Sequence, residues 1–256
     1  MSRRVRVGVV GVGYFGRFHA RQYAAHPAVD LVGVADVDEA LARDVAAELG
    51  CEAFGSHRDC IGRIDAASIA VQTPLHFDIA RELLEAGIDV LVEKPMTHDV
   101  ASATLLARIA ERTGRTLQVG HIERFSSTFR ALRGLVQHPL YMESNRIAPF
   151  RERGTDVDVV FDLMIHDIDI ILGLVQSPVT TVHAVGTPVF SDKVDLASAR
   201  IAFASGCVAT VTASRVSHKT HRSLRVFQGG GYLICDFGES RIFTYTLQGN
   251  PAADGP

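Results

Sequence analysis

Residues 7–24 read VGVVGVGYFGRFHARQYA, and the parsing of this run decides the fold. It opens as a short apolar, β-branched strand and closes as a helix, with Gly11, Gly13 and Gly16 between them in the spacing G-x-G-x-x-G. In that arrangement the first glycine permits the tight turn out of the strand. The second lets backbone approach a pyrophosphate, and the third allows close helix packing. The helix N-terminus, with its unpaired N–H groups, then faces the phosphate charge. A glycine-rich structural turn would look the same, so the next strand matters. LVGVAD at 31–36 ends in Asp36, twenty residues beyond Gly16, where a carboxylate accepts hydrogen bonds from the adenosine ribose hydroxyls. The same charge repels the extra phosphate of NADP, and no arginine follows it directly, so NAD is expected over NADP.

Working outward, the first 120 residues alternate near-continuous apolar strands (RVRVGVVGV, VDLVGVAD, AASIAVQT, DVLVEKP, TLQVGH) with amphipathic helices such as EALARDVAAELG and FDIARELLEAG. Buried parallel strands covered by helices on both faces make a doubly wound α/β unit. Gly50, Gly87 and Gly114 stand where helices should stop, as suits a residue that enters the left-handed region cheaply. Beyond residue 120 one or two helices give way to long alternating strands, LYMESNRIA, TTVHAVGTPV, SARIAFA, CVATVTASRV, SLRVFQ and YLICDF. Turn signals in FASGCV and QGGGY predict hairpins, hence an α+β domain with a large, open, mostly antiparallel sheet. The expected domains are 1–120, a NAD-binding Rossmann unit, and 121–256, for substrate binding and oligomerisation, with a loose tail GNPAADGP.

Composition removes several classes of partner. A formal net charge of −3 without any basic block leaves no electrostatic footprint for nucleic acid or an anionic membrane. The opening MSRRVRVGVVGVG has a basic start before an apolar run, but the run is short and broken by glycine, with no small-residue cleavage site, and reads as a strand. No stretch reaches the length of a membrane span. Cys51, Cys60, Cys207 and Cys235 lack CxxC or zinc-like spacing, which points to reduced thiols and a cytoplasmic protein.

Only three of the 26 Lys and Arg residues are lysines, and one, Lys94, follows the strand DVLV in VEKPMTH. Ligands of open α/β sheets bind beyond the carboxyl ends of strands. An ammonium there can stabilise charge as a hydroxyl becomes a carbonyl; a solvated lysine at a strand end is the other reading. VQTPLHFDIA is a second strand-end segment, with Thr73 and Pro74 ending a strand and His76 beginning a helix. FDLMIHDIDIILGL at 161–174 has the apolar content of a buried helix, yet Asp158, Asp162, His166, Asp169 and Gly173 fall on one seam at 100° per residue. Asp162 can hold His166 as a general base needs, or the two can be a structural pair. As metal ligands they lack a third convergent partner.

GVGYFG, AD at 35–36, TPLHFDIA, EKP at 93–95, GHIERF at 120–125 and FDLMIHDID together resemble the glucose-fructose oxidoreductase, inositol dehydrogenase and MocA family. The resemblance runs to about residue 247. It implies NAD(P)-linked oxidation of a sugar or polyol hydroxyl without metal, and assembly as a homodimer or homotetramer through the C-terminal sheet. The lysine of EKP is then catalytic, and the histidine of the D-x-x-x-H helix takes the hydroxyl proton. Carried onto this chain, Lys94, His166 and Asp162 form the catalytic set. Gly11, Gly13, Tyr14, Phe15, Gly16, Asp36, Thr73, Pro74, His76, Glu93 and Lys94 form the cofactor set.

Six arginines crowd residues 120–155, at 124, 130, 133, 146, 151 and 153, and their forks suit phosphate oxygens or are simple surface charges. GHIERF, DVDVVFDLMIHDIDIIL and TASRVS are most similar to the family's UDP-N-acetylglucosamine 3-dehydrogenases, which act ahead of an aminotransferase on the way to lipid A. That likeness implies a sugar-nucleotide substrate touching Lys94, Glu123, Arg124, Arg151, Asp162 and His166. Other readings are a dehydrogenase of another nucleotide sugar, a free sugar or an inositol, and a non-catalytic NAD-binding sensor. Family members extend further at the C-terminus, so the end at Pro256 is read as a shortened segment or an incomplete record.

Overall fold

Val9, Val34, Ile69 and Val92 are completely buried, and each belongs to a different strand of one parallel sheet. The computed structural model describes residues 3–151 and 157–247; Arg153 and the tail GNPAADGP lie outside them. The described chain forms two compact units that part between Gly120 and His121.

In the first unit the strands are β1 (Val5–Val10), β2 (Val29–Ala35), β3 (Glu52–Phe54), β4 (Ala66–Ile69), β5 (Asp89–Val92) and β6 (Leu117–Val119). The helices are α1 (Tyr14–Ala25), α2 (Glu39–Leu49), α3 (Thr73–Glu85) and α4 (Val100–Thr113). Strand order is β3-β2-β1-β4-β5-β6, all parallel. Adjacent residues Val9 and Val10 point to opposite faces, as a strand requires. Val9 packs with Val34, Ala20 and Val45 under α1 and α2, whereas Val10 packs with Ile69, Leu83 and Leu106 under α3 and α4. The sheet is therefore doubly wound, and its order reverses between β1 and β4, where such sheets leave a ligand crevice. Gly50 and Gly114 close α2 and α4 in the left-handed conformation. The strand ending expected at Thr73 and Pro74 comes earlier, at Ile69; both residues begin α3, where a proline costs no hydrogen bond.

The second unit has helices α5 (Ser127–Leu135) and α6 (Ile165–Val175) and strands β7 (Pro139–Ile147), β8 (Val179–Thr187), β9 (Leu196–Phe203), β10 (Val208–Ser214), β11 (His221–Gln228), β12 (Gly231–Asp236) and β13 (Arg241–Thr246). The described strands form one sheet in the order β13-β12-β11-β7-β10-β9-β8, antiparallel except where β7 meets β10. Hairpins join β9 to β10 through Gly206 and β11 to β12 through Gly230, each at positive φ. One sheet face alternates into the core: Ala209, Val211 and Ala213 of β10 are buried with Met142, Leu224, Phe129, Ile170 and Leu174.

The opposite face carries Tyr141, Phe227, Tyr232 and Tyr245 in one cross-strand register. The Tyr232 and Tyr245 rings stack with centroids 4.6 Å apart.

The helix seam expected through 158–173 is altered. Val160–Met164 winds as a π-helix, with the Ile165 N–H reaching back to the Val160 carbonyl, so ideal 100° phasing is not kept. Asp158 leaves the seam and accepts the Val194 N–H at 2.9 Å. Gly173 faces the Phe129 ring, where an added Cβ would lie 3.3 Å from Cζ.

Candidate active site

The glycine loop is shaped by what each glycine avoids. Gly11 sits at φ +84°, and a Cβ there would fall 2.8 Å from the Ala70 carbonyl; one on Gly16 would fall 1.7 Å from the Gly11 oxygen. Gly13 differs, since a Cβ there meets nothing within 4 Å, leaving open space beside the loop. Gly13 also caps α1 without a side-chain hydrogen bond, so the first-turn N–H groups lack that partner. Asp36 Oδ2 accepts the Val12 N–H at 2.7 Å and Oδ1 the Asp38 N–H at 3.0 Å. The carboxylate is thereby fixed to the glycine loop with acceptor capacity remaining. Open space, amide donors and a carboxylate fit a dinucleotide's pyrophosphate and ribose, so Gly11, Gly13, Gly16 and Asp36 would hold NAD. Tyr14 and Phe15 are exposed at the helix start, with the Phe18 ring edge-on to Tyr14 at 5.2 Å.

Other expected cofactor residues differ in exposure. His76 is 1% exposed, with Nδ1 2.9 Å from the Pro95 carbonyl oxygen and Nε2 3.1 Å from that of Val71. Both ring nitrogens thus lie within hydrogen-bond reach of backbone carbonyls, and the ring ties two strand-end segments together. Thr73 is also buried, and Pro74 is exposed. The half-buried Glu93 meets His19 Nε2 at 3.0 Å, and His19 Nδ1 lies 2.6 Å from Ser68 Oγ. Glu93 Oε2 also accepts the Lys94 N–H at 3.3 Å. The half-buried Lys94 therefore follows a residue anchored through His19 to α1.

In the second unit, Asp162 lies in the middle of the π-helix and His166 is the second residue of α6; both are half-buried. Two further carboxylates of α6 lie deeper. Asp167, 2% exposed, takes a bidentate grip from Arg146, itself 3% exposed, at 2.7 and 3.2 Å. Burial pushes the Asp167 carboxyl up from its ordinary range, against the pull of Arg146. Arg146 Nη1 also donates to Glu123 at 3.3 Å. Asp169, 7% exposed, accepts from Arg124 Nε at 2.6 Å, with His121 Nδ1 3.9 Å from its other oxygen. Both Glu123 and Arg124 are thus bound by charge to elements of this unit. Arg130, Arg133 and Arg151 are exposed.

Asp167, Arg146, His19 and His121 build this region without a sequence signal that singles them out. Arg146 looked like its five neighbours, and Asp167 like one more acid in an apolar run; His19 and His121 carried no spacing signal. Among the described residues, no group of three His, Cys, Asp or Glu is placed to hold a metal ion. No described helix is long and apolar enough to cross a membrane.

Comparison with known proteins agrees with this construction. A model of the Gfo/Idh/MocA oxidoreductase family, NAD-binding Rossmann fold, matches residues 5–121, and a model of the Gfo/Idh/MocA C-terminal domain matches 118–234. The chain is 40% identical over 242 residues to a UDP-N-acetylglucosamine 3-dehydrogenase of Acidithiobacillus ferrooxidans, spanning 94% of this chain and 77% of that protein. It is 31% identical to scyllo-inositol 2-dehydrogenase (NAD(+)) of Bacillus subtilis, over 86% and 70% of the two chains. The solved structure of UDP-N-acetylglucosamine 3-dehydrogenase GnnA from A. ferrooxidans superposes with a TM-score of 0.91 at 39% identity, covering 96% of this chain and 81% of that one. GenD2 from gentamicin A biosynthesis, in complex with NAD, shares the fold with a TM-score of 0.86 at 23% identity, over 92% and 73%. With the glycine loop, Asp36 and both domain matches in place, the chain belongs to the Gfo/Idh/MocA family of NAD-binding oxidoreductases.

Proposed function

We propose that this protein oxidises the 3-hydroxyl of UDP-N-acetylglucosamine with NAD as acceptor, giving the 3-keto sugar nucleotide. The observation that carries the reading is the 40% identity to the A. ferrooxidans enzyme across 94% of the chain. When bound, NAD supplies the hydride acceptor. His166, steadied by Asp162, takes the hydroxyl proton, and the Lys94 ammonium stabilises the charge that develops on the substrate oxygen. Asp36 favours NAD over NADP by repelling a ribose phosphate. Glu123, Arg124 and Arg151 are the further substrate contacts.

A 3-keto product is a substrate for transamination, which places the enzyme ahead of an aminotransferase, toward the diamino sugar of lipid A. The cytoplasmic reading rests on four cysteines that are free in the structure, with burial pushing Cys60 and Cys235 up to about 12. A homodimer or homotetramer through the open aromatic face of the second unit's sheet completes the reading.

Incubation with NAD and UDP-N-acetylglucosamine is expected to yield NADH and the 3-keto product. Far less turnover is expected with NADP, scyllo-inositol or N-acetylglucosamine. His166→Asn should lower turnover at least a hundredfold, about 3 kcal/mol of barrier, with NAD affinity kept. The scyllo-inositol arm tests the second reading, favoured by the 31% identity to the Bacillus subtilis enzyme. Tight NAD binding with no turnover of any substrate would instead mark a sensor.

A further inference from the structure

The 3₁₀ turn Ile122–Phe125 and helix α6 are tied by a buried carboxylate whose purpose the proposed chemistry leaves open. Asp169 lies three residues beyond His166, on the same side of α6 and one turn along it. It is 7% exposed, yet it takes Arg124 Nε at 2.6 Å. Arg124 itself is half in solvent, with 45% of its side chain exposed. Among the described residues its two terminal nitrogens form no hydrogen bond. The guanidinium is thus held by its inner edge while its outer edge, with four N–H donors, is presented outward. His121 Nδ1 approaches the same carboxylate at 3.9 Å. Arg146, grasping Asp167 and Glu123, fixes the residue before Arg124 to the same helix.

A surface salt bridge orders little, because both partners are mobile and solvated. Here one partner is buried and rigid, so the fork is preorganised. The plan suits a substrate that carries an anion on the far side of one sugar ring from its reacting hydroxyl. His166 would meet the hydroxyl and the Arg124 fork the anion. We propose that Arg124 is the diphosphate-binding residue of this enzyme and that Asp169 is its positioning residue, together selecting sugar nucleotides over uncharged sugars and polyols. This inference rests on the sugar-nucleotide reading above.

The probe is UDP, titrated by calorimetry into the full-length protein, so that binding is read apart from turnover. Arg124→Ala is expected to weaken UDP binding about tenfold or more, the worth of one charge-assisted pair. Asp169→Asn should weaken it several-fold, with NAD affinity unchanged in both. In the Arg124→Ala background, Asp169→Asn should cost nothing further, because its effect passes through the guanidinium. A merely structural Asp169 would cost the same in both backgrounds, and that result overturns the positioning role. Arg124→Lys keeps the charge but loses the fork and should also weaken UDP binding; wild-type affinity in this variant or in Arg124→Ala overturns the inference even if Asp169→Asn does not fold. If the wild type turns over UDP-N-acetylglucosamine while these variants bind UDP normally, this inference alone fails. If the wild type neither binds UDP nor turns the sugar nucleotide over, the substrate reading fails with it.

Discussion

Gly13 and Gly16 stand three residues apart in the same motif and are glycines for different reasons. At Gly16 the protein's own backbone fills the space a side chain would need, 1.7 Å from a Cβ, whereas at Gly13 the space is open. Gly16→Ala is therefore expected to shift the loop, lowering Tm and abolishing NAD binding together. Gly13→Ala should leave Tm nearly unchanged and weaken NAD binding about tenfold or more, because its methyl enters only the ligand's space. Paired thermal melts and NAD titrations check both, and equal Tm losses would contradict the distinction. At this scale the glycines and Asp36 were legible because their spacing encodes backbone geometry. His76 was not: a histidine at a helix start reads alike whether it turns toward a ligand or, as here, inward to two carbonyls. Arg124 and Arg146 were likewise indistinguishable by residue type, and only β7 and α6 show that one is held at its inner edge and the other buried.

Strands and helices were legible where burial imposes a period. Central strands such as β1, β4 and β5 announce themselves through continuous apolar residues, and β7 and β9 to β12 through alternation. The three-residue β3 is too short to carry a period, and β13, mostly exposed at a sheet edge, has too little apolar contrast. The π-turn before α6 was invisible because a single widened turn leaves no composition signal. One loop shows how an element is secured by charge. Asp195, fully buried, accepts the N–H groups of Val189, Phe190 and Ser191 at 2.7–2.9 Å, the Ser191 hydroxyl at 2.7 Å, and Arg215 Nε at 2.7 Å. Those donors hold its carboxyl far below the ordinary range. Asp195→Ala removes the counter-charge of the buried Arg215 guanidinium and the acceptor of three amides, so a loss of about 3–5 kcal/mol is expected in chemical denaturation. A change below about 1 kcal/mol would mean that the loop is held otherwise.

Across the whole molecule, acid stability follows from carboxylates held by arginines. Arg58 and His57 hold the Glu82 carboxyl at about 2, below its ordinary 4.5, and Asp65, gripped by Arg6 and Arg3, is lowered as well. A depressed carboxyl contributes its full stability above its unfolded value and loses it as pH falls through the folded one. Glu82→Gln should therefore lie below the wild type in Tm above about pH 5, with the gap closing between 4.5 and 2. Melts across that range check it; a gap independent of pH would assign the loss to packing. The chain contains no tryptophan and five tyrosines, of which Tyr141, Tyr232 and Tyr245 belong to the aromatic row on the open sheet face. Its near-ultraviolet emission and circular dichroism are consequently weighted to that one surface, with a closely stacked tyrosine pair as an excitonic marker. Whatever covers that sheet can be followed optically, without a label, while NADH is read separately at longer wavelength.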